Sequence, residues 1–182
     1  MHITTEAGTD ITLSVEGRKP VRQYGRSLTP GSSSSPPDIE TALGPILGTA
    51  NGTFVVDAGI PFPGIGVLEN GETISLTLKD GAIVAFEGGE KAKILEDGMK
   101  ALQDEKAYLL AEVGVGFNNK STLCNSMLED EGVMGTLHFG FGNSLSFGGD
   151  VDSPNHIDMI FHNASLWIDG KQLIERGKFL LD

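Results

Sequence analysis

Apolar residues along this chain recur mainly at a spacing of two, the period of a half-buried strand. Over residues 3–15, Ile3, Ile11, Leu13 and Val15 hold odd positions with Thr12 and Ser14 between them, around Ala7-Gly8-Thr9-Asp10, which reads as a hairpin. Gly52-Thr53-Phe54-Val55-Val56-Asp57 is a short β-branched run, and residues 60–66 are broken up by Pro and Gly. Ile74, Leu76 and Leu78 alternate ahead of Asp80-Gly81 and the apolar run 82–86, the strongest hairpin signal in the chain. Residues 89–110 change period: Ala92, Leu95, Met99, Leu102 and Ala107 fall at helical spacing with Lys and Glu between, predicting one amphipathic helix. Strands are expected again at 111–116, 135–141 and 158–161, with a short helical piece within 122–128. Residues 166–174 form two runs about Asp169-Gly170, and residues 27–37, rich in Ser, Pro and Gly, form a loop expected to be mobile at Ser32 to Ser35.

The pattern predicts a β-rich α+β fold over residues 1–182, with short strands, hairpins and one main helix in a single domain. Twenty-five glycines fit many tight turns and close backbone approaches. The formal charge of -12, from 13 Lys and Arg against 25 Asp and Glu spread along the chain, argues against a nucleic-acid partner, which needs clustered cations. The single cysteine, Cys124, permits no internal disulfide, and no run approaches the ~18 apolar residues of a membrane span. A cytoplasmic protein with no membrane partner is expected.

Candidate chemistry centres on two histidines. In His156-Ile157-Asp158 the imidazole and carboxylate are two apart, so on a strand both project to one face, where they can share an ion or simply hydrogen-bond each other. His138 lies among apolar residues and glycines in 135–143, as a buried core residue or a ligand. Two His and one carboxylate with open positions suit iron(II); further carboxylates suit zinc, cobalt or manganese. Glu40, Glu112, Glu129 and Glu131 are the candidates to complete a site. Glu112 is the sharpest, because a carboxylate among small apolar residues needs a cation, either a metal or a Lys or Arg.

Taken in order, these pieces resemble the thermophilic metallo-aminopeptidases of the aminopeptidase T and aminopeptidase S type. The resemblance runs from Ala7-Gly8-Thr9-Asp10 and 14–18 through Pro37-Asp38-Ile39-Glu40, Gly52-Thr53, 111–116, Asp130-Glu131, 135–138 and 153–158 to Ile168-Asp169-Gly170. It implies that Glu40, Glu112, Glu131, His138, His156 and Asp158 match ligands of a two-metal site, with Glu112 also catalytic. The match at Glu131 is looser, since its spacing to His138 is longer than in the peptidases. It further implies a metal-dependent hydrolase, a peptide or small-molecule substrate, a homodimer, and correspondence to the C-terminal metal-binding portion, with the family's N-terminal α/β domain absent. Two departures bear on activity: that absent domain, and Gly140-Phe141-Gly142-Asn143-Ser144-Leu145, which lacks the oxyanion-binding tyrosine of the peptidases and offers Asn143 in its place. A similar branch holds the 2,5-dihydroxypyridine dioxygenases, ring-cleaving enzymes with one Fe(II) on a His, His, Asp set, and this is the alternative expectation. A non-catalytic metal-binding oligomerisation domain is the second alternative.

Overall fold

The computed structural model describes residues 1–180 as a sandwich of two sheets with one main helix. The strands are β1 (His2–Thr4), β2 (Asp10–Thr12), β3 (Val21–Tyr24), β4 (Ile39–Leu43), β5 (Asn51–Val56), β6 (Gly59–Ile60), β7 (Gly66–Val67), β8 (Ile74–Lys79), β9 (Ala82–Glu87), β10 (Leu110–Gly116), β11 (Thr136–Gly142), β12 (His156–His162), β13 (Ser165–Ile168), β14 (Lys171–Glu175) and β15 (Lys178–Phe179). One sheet runs β15-β14-β13-β1-β2-β5-β8-β9, and the other β3-β4-β10-β11-β12-β6-β7. The α+β class expected from the pattern holds. Among the described residues, no helix is long and apolar enough to cross a membrane.

The expected hairpins form with the chemistry that marked them. Asp80 and Gly81 take φ of 49° and 80°, and Asp169 and Gly170 take 48° and 80°, so both turns have two left-handed residues, the geometry that matches strand twist. Arg176 and Gly177, at 48° and 76°, make a third such turn into β15, which sequence reading passed over because Arg is no turn signal. Two further expectations need correction. The helix over 89–110 ends early: α1 spans Gly89–Ala101, Gln103 enters the left-handed region at φ 52°, and a separate 3-10 helix, Glu105–Tyr108, buries Ala107. Its N-cap is Asp104, whose side chain accepts from the Lys106 amide, so the periodic pattern ran across a break between two helical pieces. The helical piece expected within 122–128 is instead the single turn α2 (Met127–Asp130).

The two sheets enclose one core. Phe54 of β5 meets Phe139 at 4.6 Å, Phe161 at 5.0 Å and Phe141 at 6.4 Å between ring centroids, joining the sheets across the middle. Ile3, Ile11, Leu76 and Leu166 fill the same core from the eight-stranded side, and α1 adds Ala92, Leu95 and Met99 beside β8 and β9. A fully buried Phe or Leu contributes about 1.5–3 kcal/mol by removal from water, so this aromatic centre is a firm floor for the strands above it.

Candidate metal centre

On β10, β11 and β12 the odd-numbered residues Val113, Leu137, Phe139, Phe141, Ile157, Met159 and Phe161 belong to the core. Strand alternation therefore sends Glu112, Gly114, His138, Gly140, Gly142, His156 and Asp158 to the outer face of the seven-stranded sheet. Strand register sets the ionisable residues of that face against glycines. Glu40 pairs with Gly116, His138 with Gly114, Glu112 and Asp158 both with Gly140, and His156 with Gly142. The glycines leave room that any side chain would fill. A Cβ on Gly140 would stand 2.6 Å from the Cε1 and Nε2 atoms of His156 and 2.9 Å from Asp158 Oδ1, and one on Gly114 would run into the His138 ring. At Gly114 and Gly140 the glycines make way for side chains, whereas at Gly116 and Gly142 the close neighbour is main chain, that of Gly132 and Val133 and that of Asn155.

In this space the functional groups converge. His156 Nε2 lies 3.0 Å from Glu112 Oε2 and 3.1 Å from Asp158 Oδ1, while His138 Nε2 lies 3.1 Å from Glu40 Oε2 and 3.5 Å from Glu112 Oε1. Glu112 thus belongs to two donor sets, Glu40-Glu112-His138 and Glu112-His156-Asp158, each with its ligand atoms within 4.8 Å of one another. Among the described residues, the ion pairs of Glu40, Glu112 and Asp158 are all with these two histidines. Glu112, at 2 % exposure, is buried on the His138 side of its strand as its apolar setting predicts.

Two covering segments close the face. Asn118 donates from its amide to Gly132 O and from Nδ2 to Pro37 O, and Phe117 N donates to Ile39 O. This folds residues 117–135 over the Glu40 end and brings Glu131 beside Asp158. At the other end Phe147 packs against His156, with ring centroids 5.3 Å apart and planes tilted by 31°. Its loop is tied down by Gly44 N to Phe147 O and by Arg18, which donates to Gly148 O at 2.6 Å and pairs with Asp150 at 2.7 Å. His156 is the least buried of the converging groups, so the site communicates with solvent on its side.

The electrostatics are those of crowded, buried carboxylates and imidazoles. Burial pushes the Glu131 carboxyl up to about 9, with Asp158 adding to it, and pushes Asp38 up to about 7, with Glu40 adding to it. Glu40 is also raised, by burial first, although His138 opposes the shift. Burial works against a charged His156, yet hydrogen bonding to Asp158 and Glu112 outweighs it and lifts the ring to about 11. His138 is likewise raised despite burial, through Glu112 and Glu40, and Asp158 is lowered despite burial, through His156.

A divalent cation fits these residues. Glu40 Oε2, Glu112 Oε1 and His138 Nε2 are buried and close to one another yet form no hydrogen bond of good geometry, and Asp38 Oδ1 and His138 Nδ1 are buried with no hydrogen-bond partner, a concentration of poorly satisfied polar atoms that native proteins otherwise avoid. His156 Nδ1 lies 2.7 Å from the Asn143 carbonyl, which can only accept, so Nδ1 carries the proton and Nε2 faces the carboxylates.

Of the expected site residues, the fold brings together Glu40, Glu112, His138, His156 and Asp158, with Glu131 at the edge. Glu129 stands apart, accepting from the Thr122 amide. Asp38 and Phe147 were not singled out; Pro37-Asp38-Ile39-Glu40 offered a signal for the first, and nothing local marked the second.

The family model described as NicX, 2,5-dihydroxypyridine 5,6-dioxygenase, matches residues 1–181. The chain belongs to this family. The 2,5-dihydroxypyridine 5,6-dioxygenase of Pseudomonas putida KT2440 is 26% identical over 189 residues, covering 97% of this chain and 53% of that protein. The solved structure of 2,5-dihydroxypyridine dioxygenase from the same organism superposes with a TM-score of 0.87 at 25% identity, covering 100% of this chain and 55% of that one. AmpT from Thermus thermophilus superposes with a TM-score of 0.70 at 20% identity, over 99% of this chain and 49% of its own, which shows a shared fold alone. The chain spans about half the length of these relatives.

These findings overturn the expectation of a two-metal aminopeptidase-like hydrolase, and with it the reading as a metalloprotease. The pieces that carried that resemblance are the ones that build the sandwich and its glycine-matched face, so they follow the fold and do not discriminate the chemistry. Asn143 is no replacement for the missing tyrosine either, because its Nδ2 donates to Ser153 O and its Oδ1 accepts from Leu145 N.

Proposed function

We propose that this chain carries the iron(II) centre of a dioxygenase that opens a dihydroxylated pyridine ring, with His138, His156 and Asp158 as the ligands. The observation that supports it most directly is the convergence of both imidazoles on Glu112, with Asp158 beside His156, on a glycine-lined face of a chain in this family. Two histidines and one carboxylate with open positions suit iron(II), which when bound supplies the redox chemistry for inserting dioxygen into an aromatic ring.

The rest of the work falls to protein groups. The Asn143 carbonyl holds the His156 ring in one tautomer with Nε2 inward. Gly114 and Gly140 leave the space that the His138 and His156 rings occupy, so that both imidazoles can lie on this face. Glu112 touches both imidazoles and is the acceptor for a proton leaving a substrate hydroxyl. Phe147 forms an aromatic wall beside the more exposed ligand, against which a heteroaromatic ring can lie. Glu40, Glu131 and Asp38, whose carboxyls burial makes reluctant to ionise, would give up their protons to a bound cation and add negative charge around it.

Oxygen uptake by the anaerobically iron-loaded chain, on addition of 2,5-dihydroxypyridine, tests the proposal. Consumption of oxygen with loss of the pyridine absorbance is expected from the iron form and not from a zinc form, with no release of amine from an aminoacyl anilide. An iron-loaded chain that consumes no oxygen would instead support a non-catalytic metal-binding domain.

A further inference from the structure

The ring of His156 is oriented by a carbonyl, and that carbonyl is held by a residue from the far side of the sequence. Asn143 O receives His156 Nδ1 at 2.7 Å, and Asn143 is itself clamped to the segment just before β12: its amide donates to Asn155 O at 2.7 Å and its Nδ2 to Ser153 O at 2.8 Å. Ser153 and Asn155 then converge on one carboxylate oxygen. Ser153 Oγ donates to Asp104 Oδ2 at 2.5 Å, Asn155 Nδ2 donates to the same oxygen at 3.3 Å, and Asn155 N donates back to Ser153 Oγ at 3.1 Å. Lys106 Nζ adds a bond to Asp152 O at 2.9 Å.

Asp104 also caps the 3-10 helix, but that uses only Oδ1, which accepts from Lys106 N at 3.0 Å. A cap needs one acceptor, and serine serves as well as aspartate there. The second oxygen is committed to the segment that leads into the metal-facing strand.

We propose that Asp104 is a positioning residue for the metal centre: through Ser153 and Asn155 it fixes Asn143, whose carbonyl holds the His156 ring with Nε2 directed at the ion. This inference rests on the proposed metal site and extends it to a residue that touches neither ion nor substrate. Partners of this kind that orient a ligand typically change metal affinity by about 10–100-fold, and Asp104, acting through intermediaries, is expected at the lower end.

Asp104→Ser separates the two roles, since serine keeps the cap and is too short to reach Ser153 and Asn155. The full chain is compared with Asp104→Ser and Asp104→Ala by zinc affinity in competition with a chelator, by the nitrogen NMR signals of the His156 ring with and without zinc, and by melting temperature without metal. In Asp104→Ser the zinc affinity should fall on the order of tenfold, and the protected Nδ1 proton of His156 should exchange faster, with little change in melting temperature. The affinity loss should vanish when Ser153 is already alanine, because the path is then cut. If Asp104→Ser keeps both the zinc affinity and the Nδ1 signal while Asp104→Ala only lowers the melting temperature, the residue is a cap and the proposal is overturned. Failure of the unaltered chain to bind zinc would overturn the metal reading instead, and the Nδ1 signal of the metal-free protein would still decide the role of Asp104.

Discussion

The two faces of β10, β11 and β12 differ by one residue of register and by everything else. Inward, Val113, Leu137, Phe139, Phe141, Met159 and Phe161 close-pack against Phe54 and its neighbours. Outward, Glu112, His138, His156 and Asp158 stand opposite glycines, and buried atoms of Glu112 and His138 lack a well-formed hydrogen bond. The inner face gains by burying apolar surface, whereas the outer face loses by burying charge, and it is tolerable because the inner face is firm and a cation can satisfy the outer one. Stability and function therefore sit back to back on the same strands, and substitutions on neighbouring residues should separate them.

The largest effect is expected from the adjacent pair Phe139 and Gly140. Phe139→Ala empties the centre of the core and should cost about 3–5 kcal/mol in denaturant unfolding. Gly140→Ala instead puts a methyl group 2.6 Å from the His156 ring, so metal affinity should drop by roughly 100-fold. Its loss of stability should be the smaller, about 1–3 kcal/mol. If Gly140→Ala bound metal as the unaltered chain does, the glycine pattern would have no role in the site.

Glu112→Gln sharpens the same contrast. It keeps the shape and drops the charge from a carboxylate that touches both histidines, so divalent-metal affinity should weaken on the order of tenfold. The melting temperature of the metal-free protein should fall by less, since Gln keeps the shape and the histidines retain Glu40 and Asp158 as partners.

Acidity tests the outer face without mutation. Folding raises His156 from 6.5 to about 11, Glu131 from 4.5 to about 9 and Asp38 from 3.8 to about 7. Each binds its proton more tightly when folded, so each contributes stability that is complete below its unfolded value and is lost as pH climbs through its folded value. Asp158, lowered on folding, runs the other way, and its contribution is lost only as pH falls below its ordinary range. The metal-free melting temperature should therefore decline from about pH 6 to pH 9. A bound ion displaces these protons, so metal affinity should rise over the same range and the decline should flatten when metal is present. A metal-free melting temperature that climbs with pH in that window would contradict the charge pattern described for the face.

How much of this was legible in the sequence follows the range of the interactions. The turns at Asp80-Gly81 and Asp169-Gly170 announce themselves because their residues tolerate left-handed backbone, and His156 and Asp158 share a face because strand period is local. Glu112 was legible through its contrast with Ala111 and Val113. The strand β4 that carries Glu40 was not, since Ile39-Glu40-Thr41-Ala42-Leu43 is short and follows the Ser and Pro loop. The pairing of each ionisable group with a glycine depends on the register of four strands distant in sequence, and the packing of Phe147 against His156 depends on a loop anchored by Arg18, so neither left a local trace.

The smallest effect belongs to the loop ahead of β4, where, among the described residues, Ser32 is held by local bonds to Thr29. Amides of residues 31–35 should exchange with solvent within seconds whether or not metal is bound elsewhere, while those of β11 stay protected. Slow exchange in the loop of the metal-free protein would show that it is part of the folded cover of the site.

Anaerobic titration of the metal-free chain with iron(II) tests the central claim most directly. The account predicts one equivalent bound per chain, lost in His156→Ala and in Asp158→Ala with far-ultraviolet circular dichroism unchanged. Two equivalents per chain, or one retained at full affinity by either variant, would contradict it.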